Sequence, residues 1–151
     1  MDDQHLRYQV VAARRLQWDN LVWQVPVLGL TAQAFLFVTA LDGGSRHAKV
    51  VASLLSIMTA VLCVTLMARH RQGELADAHW LEAYERDHFG TPVHGPSFKG
   101  RRDPQDLHAG LVGRLVPSWP GFITWVVGMI LFAAAGVVAL GFAIFGATPH
   151  G

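Results

Sequence analysis

Three long stretches without a charged side chain govern what this sequence can fold into: Leu21 to Leu41, Val50 to Ala68 and Phe122 to Ala147. The first, LVWQVPVLGLTAQAFLFVTAL, is 21 residues long, and as a helix it would extend about 31 Å, the thickness of a bilayer's hydrocarbon core. The second ends abruptly at Arg69, His70 and Arg71, whose charges are costly inside lipid. The third follows PSWPG (117–121) and meets no ionisable group before His150. Uncharged runs of this length are rare in soluble proteins, and charged residues make up 15% of the chain against about 25% in an average soluble domain. The expected fold is therefore an all-α membrane protein with three transmembrane helices. Its environment is the lipid bilayer.

Orientation follows from Lys and Arg, which cytoplasmic flanks retain. Arg7, Arg14 and Arg15 precede the first span, and Arg69, Arg71, Arg86, Lys99, Arg101, Arg102 and Arg114 lie between the second and third, so ten of the 12 basic residues fall in these two segments. The hairpin loop holds Arg46 and Lys49. The expected topology is an inner-membrane, multi-pass chain with its N-terminus cytoplasmic and its C-terminus external. The divisions are a cytoplasmic interfacial helix over 1–20, spans over 21–41, 50–68 and 122–147, an external hairpin loop over 42–49, a cytoplasmic segment over 69–121 and an external tail over 148–151. A cleaved signal peptide is the rival reading of the first span, since Val38, Thr39 and Ala40 resemble a cleavage site. Its length, Gln24, Pro26 and the 20 residues before it fit a signal anchor better.

The N-terminal segment places Leu6, Val10 and Ala13 at helical spacing, with Asp2 and Asp3 at the positive end of the dipole and Trp18 and Trp23 at the expected membrane boundary. Residues 69–89 are rich in helix formers, so the second span is expected to continue as a cytoplasmic helical extension. There Ala76, Trp80 and Tyr84 share a face, and Glu82 and Arg86 are spaced for an i,i+4 ion pair. Trp80 and Tyr84 either pack on the N-terminal helix or dock a partner, and spacing leaves both open. From Gly90 to Pro104, three glycines and three prolines make a loop. Leu107, Leu111, Val112 and Leu115 then fit an interfacial turn.

No ionisable residue lies in the three span cores, which removes support for proton relays and charged ion sites. The candidate polar positions are Asn20 just ahead of the first span, Gln24, Thr31 and Gln33 on it, and Ser53, Ser56 and Cys63 on the second. Asn20, Gln24 and Thr31 fall on one side of a helix and Gln33 nearly opposite, so two faces need partners. Hydrogen bonding between helices, lining of an aqueous path and ligand contact are the open readings. Ser53, Ser56, Ala60 and Cys63, and Ala135, Ala139, Ala143 and Ala147, form small-residue stripes that permit close helix approach within one chain or between copies. The lone cysteine, Cys63, reads as a buried inert thiol.

Activity is less well specified. Eight histidines are present, and His70 with Glu74 and His79 with Glu82 share helical faces, but no third ligand is fixed by spacing, so no metal site and no cofactor is expected. Lys99, Arg101 and Arg102 are followed at once by Asp103 and Asp106, and the net charge is +1, which argues against a nucleic-acid partner. Phosphate-loop, dinucleotide and nucleophile-elbow motifs are missing, and no enzymatic activity is expected.

The first 90 residues, in which RYQVVAARRLQWDNLVWQVPVL leads into a close helical hairpin and then a charged helix, resemble the SLATT class of small bacterial membrane proteins. The resemblance implies an oligomeric membrane module that forms pores or anchors beside nucleotide-signalling and conflict systems. The third span and the Pro/Gly-rich loop lie outside that two-span layout. The leading expectation is a self-associating membrane protein that forms a pore or perturbs the membrane. The alternative is a non-catalytic accessory or scaffold subunit of a larger membrane complex.

Overall fold

A computed structural model describes residues 3–42, 44–94 and 121–146. Among them every regular element is helical: α1 (Asp3–Asp42), α2 (Arg46–Phe89) and α3 (Gly121–Phe145). All three are long and apolar enough to cross a membrane. The basic cluster at 99–102, the apolar group at 107–115, the end of the third run and the tail over 148–151 lie outside the described residues.

Two boundaries differ from expectation. The segment over 3–20 is continuous with the first span in one 40-residue helix rather than a separate element, because nothing between Trp18 and Trp23 breaks helical geometry. The hairpin connection is shorter than expected, since α1 runs to Asp42 and α2 begins at Arg46. Ser45 makes this possible as an N-cap, its hydroxyl accepting the Ala48 backbone N–H at 3.2 Å. At the other end α2 stops at Gly90, whose φ of 72° is the left-handed conformation that closes helices and that side chains resist.

The chain forms two compact units, and α1 and α2 contribute to both. One contains residues 21–69 and 122–151, and its helices bury small residues. Buried positions repeat at three- and four-residue intervals, with Val22, Pro26, Gly29, Gln33 and Ala40 on α1, Ser53, Ser56, Ala60, Cys63 and Met67 on α2, and Met129, Gly136 and Ala139 on α3, the spacing of left-handed helix packing. Gly29 is required by this approach, because a Cβ there would lie 2.6 Å from the Cys63 sulfur. Gly136 serves likewise, a Cβ falling 2.9 Å from Ile57 Cγ1 and 3.2 Å from Ser56 Oγ. Arg46 supplies a further tie, donating to the Ala143 carbonyl at 3.0 Å and the Ile144 carbonyl at 2.5 Å. Those carbonyls belong to the last turn of α3, where no helical N–H remains to meet them. The outward surfaces, including Leu28, Phe35, Val51, Met58, Leu131 and Val138, are exposed and apolar, as lipid-facing helices require.

The other unit contains residues 1–20 and 70–121. Its described helical segments run antiparallel, partners ascending α1 as they descend α2: Gln4 meets His88, Tyr8 meets Glu85, Arg14 meets Asp77 and Trp18 meets His70.

Candidate functional site

In the unit of residues 21–69 and 122–151, the polar centre is a two-bond clamp between α1 and α2. Gln33 Nε2 donates to the Ser56 carbonyl at 2.8 Å, and the Ser56 hydroxyl donates to Gln33 Oε1 at 2.5 Å. Gln33, Ser53 and Ser56 are fully buried, and Ser53 turns back to the Lys49 carbonyl at 2.8 Å. Each is thus satisfied within the chain, as buried polar groups away from water must be. Cys63 is buried in the same stripe. The opposite face of α1 is different. Gln24 and Thr31 are exposed; Thr31 donates to its own Val27 carbonyl at 3.1 Å, while Gln24 makes no hydrogen bond to any described residue. The structure therefore brings together Gln33, Ser53, Ser56 and Cys63 and leaves Gln24 and Thr31 outside that cluster. Asn20, at the end of the other unit's α1 segment, is also exposed.

In the unit of residues 1–20 and 70–121, acids carry the interface. Glu74, Asp77 and Glu85 are buried against α1 beside Leu81 and Val11. Arg14 grips Asp77 through Nε at 2.8 Å and Nη2 at 2.5 Å, a two-pronged, charge-assisted contact that raises the Arg14 pKa above its usual range. Glu74 faces Arg71 and, at 3.8 Å, Arg15. Arg86 and Glu82 form the expected i,i+4 pair at 2.7 Å.

Glu85 is the most enclosed charge among the described residues, with no exposed surface. Its carboxylate accepts from the Tyr8 hydroxyl at 2.7 Å, from the backbone N–H of Val93 and of His94, and from His94 Nδ1. A carboxylate only accepts, so His94 Nδ1 carries a proton. Burial pushes the Glu85 pKa upward, but the bonds from Tyr8, His94 and Val93 overcome it and hold the group down at about 2. The same contact, with burial and the neighbouring charge, pushes the Tyr8 phenol up to about 12. Arg15 adds a bond to the His94 carbonyl at 3.2 Å. The result is a strap over residues 90–94 fastened to both helices.

Trp80 and Tyr84 flank this interface half-buried. Their rings stack at 5.4 Å, Tyr84 stacks on His88 at 4.0 Å, Arg7 lies 5.2 Å over Trp80 and Tyr8 lies 5.3 Å from Tyr84. Both docking candidates thus contact the N-terminal segment of α1, with a small open groove between Gln4, Arg7, Trp80, Tyr84 and His88. The apolar trio expected to define the N-terminal helix, Leu6, Val10 and Ala13, is exposed. Reading Arg14 and Arg15 as topology markers missed their partners. The available signal was the matched spacing of Tyr8, Val11, Arg15 and Trp18 with Glu74, Asp77, Leu81 and Glu85, two seams of complementary character. His94 carries no such signal, because its role depends on the turn at Gly90.

The acids of the two histidine and acid pairs on α2 are taken by arginines, Glu74 by Arg71 and Arg15 and Glu82 by Arg86, and His70 stacks on Trp18 at 5.4 Å. No group of three potential metal ligands converges among the described residues. The chain matches no family model, and no curated protein or solved structure matches it.

Proposed function

We propose that the protein is a non-catalytic, self-associating membrane scaffold, with its N-terminus cytoplasmic and its C-terminus external, whose paired helical segments outside the bilayer serve as an accessory surface for a larger membrane complex. The observation that carries this reading is the Gln33–Ser56 clamp. Gln33 and Ser56 satisfy one another and Ser53 bonds to the Lys49 carbonyl, so among the described residues a single chain offers an anchor and leaves no inward polar group of the spans open. The groove beside Trp80 and Tyr84 gives the accessory surface an aromatic edge with a cation over it, a pairing common at interaction hot spots. The SLATT-like layout of the first 90 residues agrees with a module that works in assemblies.

A pore-forming or membrane-perturbing oligomer is the second reading, and one observation favours it: Gln24 and Thr31 face outward, where several copies would converge on them. The two readings separate in one preparation. Purified full-length chain in mild detergent should have a mass that is a small multiple of 16.5 kDa by detergent-corrected light scattering, and the same protein in liposomes should be electrically silent. Steady conductance would establish the pore instead, and a monomer would remove both.

A further inference from the structure

The spans contain two primary amides, and the fold treats them oppositely. Gln33 is buried and fully paired, whereas Gln24 is exposed and makes no hydrogen bond to any described residue. Gln24 follows the boundary tryptophan Trp23, so its amide stands at the edge of the hydrocarbon, and on the side turned to lipid tails it finds neither donors nor acceptors. Gln24 does not stand alone on its face. Leu28, Thr31, Phe35 and Val38 follow it at intervals of four, three, four and three residues, all exposed, which makes a straight strip along the outside of α1. By contrast, the outward strips of α2 and α3 carry no amide: Val51, Leu54, Met58 and Leu62, and Leu131 and Val138, are apolar, and the exposed Thr65 donates to its own Val61 carbonyl at 2.8 Å.

We propose that this strip of α1 is a parallel, two-fold self-association seam whose occupant is the same strip of a second copy. The inference rests on the self-association reading above and names the surface that performs it. Three physical arguments select a second copy. A primary amide is both donor and acceptor, so two identical glutamines across a two-fold axis satisfy each other without a different residue. All copies enter the bilayer with one orientation, so an axis along the membrane normal places Gln24 opposite Gln24 at equal depth, as an isologous interface demands. The three- and four-residue spacing is the one that lets Leu28, Phe35 and Val38 interdigitate with their counterparts.

The test uses the full chain with Cys63→Ala as background, carrying single cysteines at Leu28 or Phe35, or at the off-seam positions Met58 or Val138, and oxidised in membranes. Leu28→Cys and Phe35→Cys should form disulfide dimers while Met58→Cys and Val138→Cys stay monomeric. In parallel, Gln24→Leu should weaken dimerisation in bilayers, followed by energy transfer between labelled copies, by roughly 3- to 20-fold, the range of interhelical hydrogen bonds in membranes. Dimers that cross-link through Met58→Cys or Val138→Cys would leave self-association standing and overturn the seam. An unchanged dimer in Gln24→Leu would also overturn it, the amide then being satisfied at the headgroups. Absence of any dimer would overturn both the seam and the reading beneath it.

Discussion

Replacing Glu85 by Gln tests the strap over residues 90–94 at the buried carboxylate that fastens it. The carboxylate now takes the Tyr8 hydroxyl and His94 Nδ1 on one oxygen and the backbone N–H groups of Val93 and His94 on the other. Glutamine keeps one oxygen and turns an NH2 toward the remaining donors, so two of them lose their acceptor and meet a donor instead. Orphaning a buried N–H costs about 1–3 kcal/mol. The same bonds hold the Glu85 pKa at about 2 rather than 4.5, which corresponds to about 3 kcal/mol favouring the charged, bonded form. That amounts to roughly 100-fold in the opening equilibrium of the strap. Hydrogen exchange by mass spectrometry on the purified chain reads it directly, because peptides covering 86–94 report the Val93 and His94 amides. The expected result is exchange accelerated by about that factor there and little change in peptides from the three spans. Unchanged exchange over 86–94 would refute the assignment of Glu85 as the fastening point. The pH dependence has a definite sign. The folded-state pKa is depressed, so the stabilisation is complete above about 4.5 and is lost as pH falls from there through about 2. Wild-type strap exchange, corrected for intrinsic rates, should rise in that window, and Glu85→Gln should be flat across it.

Three further outcomes follow from the packing. Ser56→Ala leaves Gln33 Oε1 without its donor and should cost about 1 kcal/mol in detergent-induced unfolding; the double variant with Gln33→Leu removes both partners and should be the more stable of the two. Gly29→Ala drives a Cβ into the Cys63 sulfur and should cost about 1–3 kcal/mol, with most of it recovered when Cys63→Ala is added, as thermal unfolding will measure. Arg14→Ala strands the nearly buried Asp77, whereas Asp77→Ala strands an arginine that is half exposed. Protection of peptides over 71–85 should therefore fall more in Arg14→Ala, and equal losses would argue against the asymmetry of burial.

The spans were legible because transfer to lipid sets a rule that composition alone can satisfy: no charge for about twenty residues. The continuation of α2 through Ala76, Trp80 and Tyr84 was legible from helix propensity, as was the stop at Gly90. Where the hydrogen bonds of each polar span residue go was not, since Gln24 and Gln33 are the same residue type nine positions apart and only packing distinguishes the paired one from the exposed one. The interface of the charged unit was hidden for a related reason. Apolar periodicity drew attention to Leu6, Val10 and Ala13, which are exposed, while the seam buries Glu74, Asp77 and Glu85 against the partly exposed Tyr8 and Arg14, and burial scales assign acids to the surface.

The bond from Arg46 to the final carbonyls of α3 bears on the order in which the chain can be assembled. The α1–α2 hairpin has its inward amide and hydroxyls settled as soon as Gln33 and Ser56 meet, so it can enter the bilayer as a finished pair while synthesis continues. Arg46 then waits at the hairpin's tip for partners that come from nearly a hundred residues later in the chain. The third helix carries no charge of its own to fix its depth, and borrows that anchor from the pair inserted before it.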